Sequence, residues 1–270
     1  MWVGTVTEVA QLTAYDGIAI SISGGKDSQA ILEVMHTIIR AQDYSGKVIA
    51  VHADTGAEWP QSLPHCRMLC AHYGFDLQVA VPFRALPEHI ELRCRKLQAA
   101  GIAGGWPSMD CRYCTSDCKR NPIHKVVRAQ FPLPEGRKLV RVLSVTGERR
   151  QESTGRAKLP VFNTEKALAT GFREVVAYRP ILDFRVEDVW ATIAGTGLPR
   201  HVAYDKGNER LSCALCMLAK PGDIRNGARE CPELAEHYLR IERETGHTFK
   251  NRQTLASILA REEGTENEGT

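Results

Sequence analysis

The stretch SISGGKDSQAIL, residues 21–32, narrows the folds open to this chain more than any other. Before it runs GIAISI, Gly17 to Ile22, an Ile-rich segment bounded by Asp16 and Gly17 that reads as a buried strand. After it come Ala30, Ile31, Val34, Met35, Ile38 and Ile39, whose spacing marks one face of a helix. Ser23, Gly24, Gly25, Lys26, Asp27 and Ser28 therefore occupy a strand-to-helix turn. The two glycines permit backbone geometry that a Cβ forbids. Consecutive N–H groups can then point into one concavity at a helix N-terminus, where partial positive charge gathers. Lys26 adds a full charge and the two serine hydroxyls add donors, so the turn is an anion cradle sized for a phosphate. It is not a Walker A loop. That pattern needs glycine where this chain has Ile20 and Ser or Thr where it has Asp27.

The pattern continues as alternating strands and helices. Val48 to Val51 reads as a second strand, with Asp54 in the loop beyond its C-terminal end. A helix ends at Gly74, LQVAV is a third strand, and a helix closes at Gly101. KLVRVLSVTG and EVVAYRPI resume the strands, and RVEDVWATIAGTG and CPELAEHYLRIERETG are further helices. This alternation predicts an α/β fold, a doubly wound parallel sheet of Rossmann-like type with a helical C-terminal extension. The expected division is 1–220 for the nucleotide-binding domain with its cysteine segments, 221–260 for the extension, and a disordered acidic tail at 261–270. In an open parallel sheet ligands bind beyond the carboxyl ends of strands. Asp54 is thus placed to meet a ribose, a metal ion or a substrate, or simply to close an Asx turn.

Nine cysteines is an odd number, and no export signal or long apolar run precedes them. The expectation is a cytoplasmic protein with reduced thiols, no disulfide framework and no membrane association. Cys66, Cys70 and Cys94 fall on apolar helix faces and read as core thiols. Cys111, Cys114 and Cys118 lie in one segment, and Cys213 and Cys216 lie about a hundred residues later. Two Cys-x-x-Cys pairs suffice for a four-thiolate site, for which zinc and an iron–sulfur cluster are equally suited by spacing. From Arg112 to Lys158 there are 12 Lys and Arg against 4 Asp and Glu, in a chain whose net charge is only +3. Such a stretch favours a polyanion, unless the charges are balanced in three dimensions.

SGGKDS resembles the PP-loop of the adenine-nucleotide α-hydrolase superfamily, the N-type ATP pyrophosphatases. DTGAEWP, RYCTSDCKRNPI, TGERRQES and the run from YRPILDF to SCALC are similar, in this order, to motifs of the phosphoadenosine-phosphosulfate (PAPS) reductase family. The likeness spans residues 18 to about 218 and is nearest the DNA-phosphorothioation and phage-associated branch. It implies an adenine-nucleotide α-hydrolase fold, a loop that holds the β,γ-pyrophosphate of ATP with Mg²⁺, and a [4Fe–4S] cluster, with zinc as the alternative. The implied cluster ligands are Cys114, Cys213 and Cys216; Cys111 is taken as the fourth because it completes a Cys-x-x-Cys pair, with Cys118 competing for its place. The implied catalytic residues are Lys26, Asp27, Asp54 and Arg150, with Arg149 second to Arg150 at the phosphate or sulfate end and Glu152 orienting one of them.

The implied activity is ATP pyrophosphatase chemistry that adenylates an acceptor for sulfur transfer. The acceptor is a nucleic acid, DNA before tRNA, and a cysteine desulfurase or similar protein donates the sulfur. Sulfonucleotide reduction, tRNA thiolation and non-catalytic nucleotide sensing are the alternatives. The expected weakness of the reductase reading is that no cysteine follows Cys231.

Overall fold

The computed structural model describes residues 6–250 and 252–260. The acidic tail expected at 261–270 lies outside them. Contacts within the chain divide it into two compact units, each drawn from three stretches. The first comprises Met1–Ala53, Leu63–Ala80 and Pro122–His201, and the second Asp54–Ser62, Val81–Asn121 and Val202–Thr270. This division differs from a boundary at residue 220: the cysteine segments fall in the second unit together with the C-terminal helices.

The first unit holds a six-stranded sheet. Its strands are β1 (Gly17–Ile22), β2 (Lys47–Ala53), β3 (Asp76–Ala80), β4 (Val140–Val145), β5 (Phe162–Thr164) and β6 (Arg173–Tyr178), in the order β3-β2-β1-β4-β6-β5. All pairings are parallel except β5 with β6. Alternation along the strands builds a core on each face. Ile18, Ile20 and Ile22 of β1 pack with Ile31 and Met35 of α1 (Lys26–Ala41) and with Val189 and Ile193 of the helix Val186–Thr196. Ala19, Ile49, Val51 and Val142 pack on the other face with Val127 and Phe131. Cys66 and Cys70, on α2 (Ser62–Tyr73), are buried in the first of these cores, and burial pushes both thiols up to about 12.

Chain order makes the β1–β4 border the place where the sheet reverses its direction of growth. From β1 the chain builds outward through β2 and β3, and β4 returns to β1's other side. Loops after β1 and β4 therefore splay apart at their carboxyl ends and leave a crevice. The antiparallel β5 was not foreseen; three residues, Phe-Asn-Thr, carry no period to read.

The second unit is mainly helical. Its core holds Trp59, Ile90, Trp106, Ile224, Tyr238, Phe249, Leu255 and Ile258. Ile90 lies on α3 (Leu86–Ala99), where Cys94 is also buried and pushed up to about 12. Helices Pro221–Glu230, Pro232–Thr245 and Leu255–Leu259 complete the unit. Glu242, buried against them, accepts hydrogen bonds from the Phe249 and Leu255 amides at 2.5 and 2.7 Å. Those bonds fix the segment that follows the helix Pro232–Thr245. No helix among the described residues is long and apolar enough to cross a membrane.

Candidate functional site

The SGGKDS turn closes β1 and opens α1 as the local pattern requires. Gly24 adopts φ 79°, in the left-handed region where a side chain is strained. Gly25 caps the helix with extended backbone, and the Ser28 hydroxyl donates to its carbonyl at 2.8 Å. Ser23 Oγ stands 3.4 Å from both the Gly25 amide and Ser28 Oγ. α1 is 16 residues long, so its N-terminus carries a developed dipole.

Beneath this turn lies a charged trio. Asp27 accepts from Lys26 Nζ at 2.8 Å on one oxygen and from Arg149 Nε at 2.5 Å on the other. Lys26 is 6% and Arg149 4% exposed. Buried cations of this kind persist only where a carboxylate compensates them. Asp27 thus holds both cations at the helix N-terminus, where an anion is already favoured. Gly147 makes the arrangement sterically feasible. A Cβ there would stand 2.9 Å from the Asp27 carbonyl oxygen, so the loop after β4 passes directly against the first turn of α1.

The two adjacent arginines reach different partners. Arg149, in extended conformation, reaches the loop. Arg150 instead donates to Asp183 at 2.6 Å and to the Ala157 and Leu159 carbonyls at 2.9 and 2.6 Å, which pins the segment after β4. Glu152 accepts from the Arg149 amide at 3.0 Å and pairs with Arg156, so it shapes the turn rather than steering a guanidinium toward a ligand. Asp54 is the first residue of the second unit, and its carboxylate accepts from the Gly56 amide at 3.0 Å, an Asx turn. The basic stretch is balanced in part. Lys119, Arg137, Arg141, Arg149, Arg150 and Arg156, half of its twelve cations, are paired with carboxylates.

The second unit brings the two cysteine segments together. Cys118 and Cys213 are buried in its core, and Cys114 and Cys216 pack against it. The Cys213-Ala-Leu-Cys216 turn is held by Ala214, whose amide donates to the Ala57 carbonyl at 2.8 Å. The helix Pro221–Glu230 backs the same residue. Gly227 lies so close that a Cβ there would stand 1.7 Å from the Ala214 carbonyl oxygen. A π-helical turn at Ser116–Arg120 carries Cys118 and Lys119, a local widening common at functional sites.

Glu58 and Lys119 complete the cluster. Cys213 Sγ stands 3.5 Å from Glu58 Oε1, and Lys119 Nζ stands 3.4 Å from the same oxygen. The other Glu58 oxygen accepts from the Thr55 amide and hydroxyl at 2.8 and 2.6 Å. Burial alone would raise the Glu58 carboxyl, but Lys119 and the Thr55 donors outweigh it and hold it below the usual carboxylate range. The Lys119 ammonium is held charged chiefly by Cys213, with Glu58 adding to it against burial. Burial pushes the Cys213 thiol up, with Lys119 opposing. Burial also raises Cys114, with Cys216 adding, and pushes Cys118 up to about 11. Sequence reasoning assigned no role to Glu58 or Lys119, although both lie in segments quoted for their resemblance, DTGAEWP and RYCTSDCKRNPI.

Cys111 stands apart from this cluster. It is exposed and accepts from Arg93 at 3.6 Å. Cys118, the competing fourth thiol, is buried beside Cys114 and Glu58. Among the described residues, no three His, Cys, Asp or Glu stand close enough round one point to hold a metal ion. Two observations nevertheless fit a thiolate-bound centre. Four thiols and a compensating ammonium share one neighbourhood, a soft donor set with its charge balance built in. The Tyr238 hydroxyl, buried in electrostatic reach of Cys213 and Cys216, has no hydrogen-bond partner.

The sequence profile of the phosphoadenosine phosphosulfate reductase domain matches residues 17–219. An uncharacterized protein of Methanocaldococcus jannaschii is 27% identical over 230 residues, covering 84% of this chain and 42% of that protein. The chain thus spans less than half of that relative's length. An uncharacterized 37.8 kDa protein of Escherichia phage 186 is 28% identical over 79% of this chain and 71% of its own length. The adenosine 5'-phosphosulfate reductase of Neisseria meningitidis is 34% identical over a shorter stretch of 85 residues, 31% of this chain and 33% of the enzyme. Among solved structures, the phosphoadenylyl-sulfate reductase of Candida auris in its phosphate complex superposes with a TM-score of 0.50 at 18% identity. It covers 75% of this chain and 84% of that one, a shared fold.

Proposed function

Because the chain belongs to the phosphoadenosine phosphosulfate reductase domain family, we propose that it is an ATP pyrophosphatase that adenylates an acceptor for sulfur transfer. The observation that carries this reading is the trio of Lys26, Asp27 and Arg149 under the SGGKDS turn, at the border where the sheet reverses. The trio and the helix N-terminus together suit a polyphosphate better than a single neutral group.

In the proposed reaction the substrate is ATP with its Mg²⁺. An acceptor oxygen attacks the α-phosphorus, the bond to the β-phosphate breaks, and pyrophosphate departs with the electron pair. Lys26, Arg149 and the turn's N–H groups stabilise the charge that collects on it. Asp27 keeps both cations in place. The acceptor oxygen then leaves as part of AMP, a far better leaving group than hydroxide, when hydrosulfide attacks. A cysteine desulfurase-type partner would deliver that sulfur as a persulfide, from which a thiol reductant releases hydrosulfide as it forms a disulfide. Cys114, Cys118, Cys213 and Cys216 would hold a thiolate-bound centre, [4Fe–4S] or zinc, which supplies a soft Lewis-acid site when bound. The acceptor is proposed as a nucleic acid, DNA before tRNA, following the resemblance, and the protein as cytoplasmic. The paired cations of the basic stretch weaken the electrostatic case for a long polyanion.

A second reading, sulfonucleotide reduction, is favoured by one observation, the local identity to adenosine 5'-phosphosulfate reductase. One experiment separates the two. The protein is incubated with MgATP, and in parallel with adenylyl sulfate and a thiol reductant, and the products are resolved by chromatography. AMP and pyrophosphate from ATP, lost in Lys26→Ala, support the pyrophosphatase. Sulfite from adenylyl sulfate without ATP cleavage moves the assignment to reduction. ADP with orthophosphate would mean the loop has been misread.

A further inference from the structure

Gln151 joins the charged trio to the helix Val186–Thr196, and the adenylation chemistry gives it no role. Its side-chain oxygen accepts two hydrogen bonds. One comes from Arg149 Nη1 at 3.0 Å and the other from the Val186 amide at 2.9 Å. The second bond satisfies one of the N–H groups that open a helix without an internal partner. It also fixes the Gln151 amide in place, because this 11-residue helix is itself anchored by Val189 and Ile193 in the core beneath the sheet.

The consequence falls on Arg149. Its Nε donates to Asp27 at 2.5 Å, and its Nη1 reaches the Phe184 carbonyl at 3.5 Å as well as Gln151. Two of the three guanidinium nitrogens are therefore tied to separate elements, Asp27 in the first turn of α1 and Gln151 through Val186. A single contact at Nε would leave the group free to turn about that contact. A guanidinium is planar and rigid, so fixing a second nitrogen fixes the direction of the third. Among the described residues, Nη2 makes no hydrogen bond, so its two N–H groups are the ones left for a ligand. Gln151 is also a neutral acceptor. It holds the cation without adding a negative charge that would repel a phosphate.

We propose that Gln151 is a positioning residue for the anion site, setting the Arg149 guanidinium so that Nη2 faces the pyrophosphate end of the nucleotide. The inference rests on the reading of Lys26, Asp27 and Arg149 as a polyphosphate site and is independent of the sulfur-transfer step.

The probe is inorganic pyrophosphate, titrated calorimetrically into the full chain, with MgATP cleavage measured in parallel. Gln151→Met keeps the length of the side chain and removes the acceptor. It should bind pyrophosphate about 10-fold more weakly, the lower end of what a hydrogen bond to a charged group contributes. In an Arg149→Ala background the same substitution should change the affinity by no more than about 2-fold, because no guanidinium is left to orient. Asp188→Ala is the control for the helix, since the Asp188 carboxylate accepts from the Arg185 amide at 2.8 Å at the same helix start. It should lower the melting temperature and leave pyrophosphate affinity within about 2-fold. Unchanged affinity in Gln151→Met overturns the inference. A loss of equal size in the Arg149→Ala background, or in Asp188→Ala, also overturns it, because that is the signature of loosened packing. A wild-type chain that shows these affinities and cleaves no ATP sustains the inference and removes the pyrophosphatase reading. A wild-type chain that binds no pyrophosphate overturns both.

Discussion

Gly227 offers the sharpest test of how the cysteine turn is held. A Cβ at this position would fall 1.7 Å from the Ala214 carbonyl oxygen, 2.5 Å from its carbonyl carbon and 3.1 Å from its Cα. All three are backbone atoms, so no side-chain rotation relieves the overlap. The helix and the turn must separate. Overpacking typically costs about 1–3 kcal/mol, and a backbone obstacle belongs at or above the upper end. Against this, alanine favours a helix interior over glycine by about 1 kcal/mol. The net expectation for Gly227→Ala is a loss of about 2 kcal/mol, or roughly 4–8 °C in melting temperature for a protein of this size.

Gly222 is the control within the same helix. A Cβ there would meet only Arg225 Nη2, at 3.9 Å, so Gly222→Ala should be neutral or slightly stabilising. Thermal melts of the three proteins, followed by circular dichroism, give the comparison. Because Ala214 sits between Cys213 and Cys216, Co²⁺ binding should weaken in Gly227→Ala alone. A Gly227→Ala protein that melts with or above the wild type would show that the helix does not press on the turn, and the account of how Cys213 and Cys216 are positioned would fail.

Two further expectations concern the first unit and the core thiols. Arg149→Ala should reduce ATP cleavage by about 100-fold or more, the scale for losing one charge-stabilising donor. Arg150→Ala should leave cleavage within a few-fold and cost about 1–2 kcal/mol in stability through its lost carbonyl bonds; the opposite ranking would restore Arg150 to the phosphate site. Cys66, Cys70 and Cys94 are each held near 12 by burial, above their ordinary value near 9. The folded chain thus keeps protons that the unfolded chain releases, and the stability they confer is complete below about pH 9 and lost as pH rises toward 12. Urea midpoints measured between pH 8 and 11 should fall steadily, and a flat or rising profile would contradict the burial of these thiols.

What could be read from the sequence was what local spacing encodes. The Ile alternation of β1 and the helical stripe of α1 are complete within 25 residues, so the turn between them was legible down to Gly24, Gly25 and Lys26. The order of strands and helices sufficed for a doubly wound sheet, because a parallel sheet requires crossovers of this kind. Adjacent arginines were not separable in the same way. Arg149 is extended and Arg150 begins a tight turn, so neighbouring side chains diverge toward the loop and toward Asp183. Spacing likewise favoured Cys111 because it completes a Cys-x-x-Cys pair, whereas Cys118 is the one of the two that is buried. Gly147 and Gly227 looked like ordinary glycines. Their importance arises from backbones that meet across about 120 residues in one case and 13 in the other, and no periodicity records a close approach.

The threading of the chain between the two units also sets a schedule for synthesis. The second unit takes residues from 54–62, 81–121 and 202 onward, so its core stays incomplete until the last of these stretches has left the ribosome. Cys114 and Cys118 emerge about a hundred residues ahead of Cys213 and Cys216. At roughly 5–20 residues per second, that is an interval of about 5–20 s. During it, the early thiols have no core to enclose them and no Glu58–Lys119–Cys213 contact to join. The nascent chain is then at its most vulnerable to oxidation. A cell that makes this protein under oxidative stress should accumulate molecules damaged at Cys114 and Cys118 before they have ever folded, while the SGGKDS turn lies in a unit whose last stretch ends at residue 201.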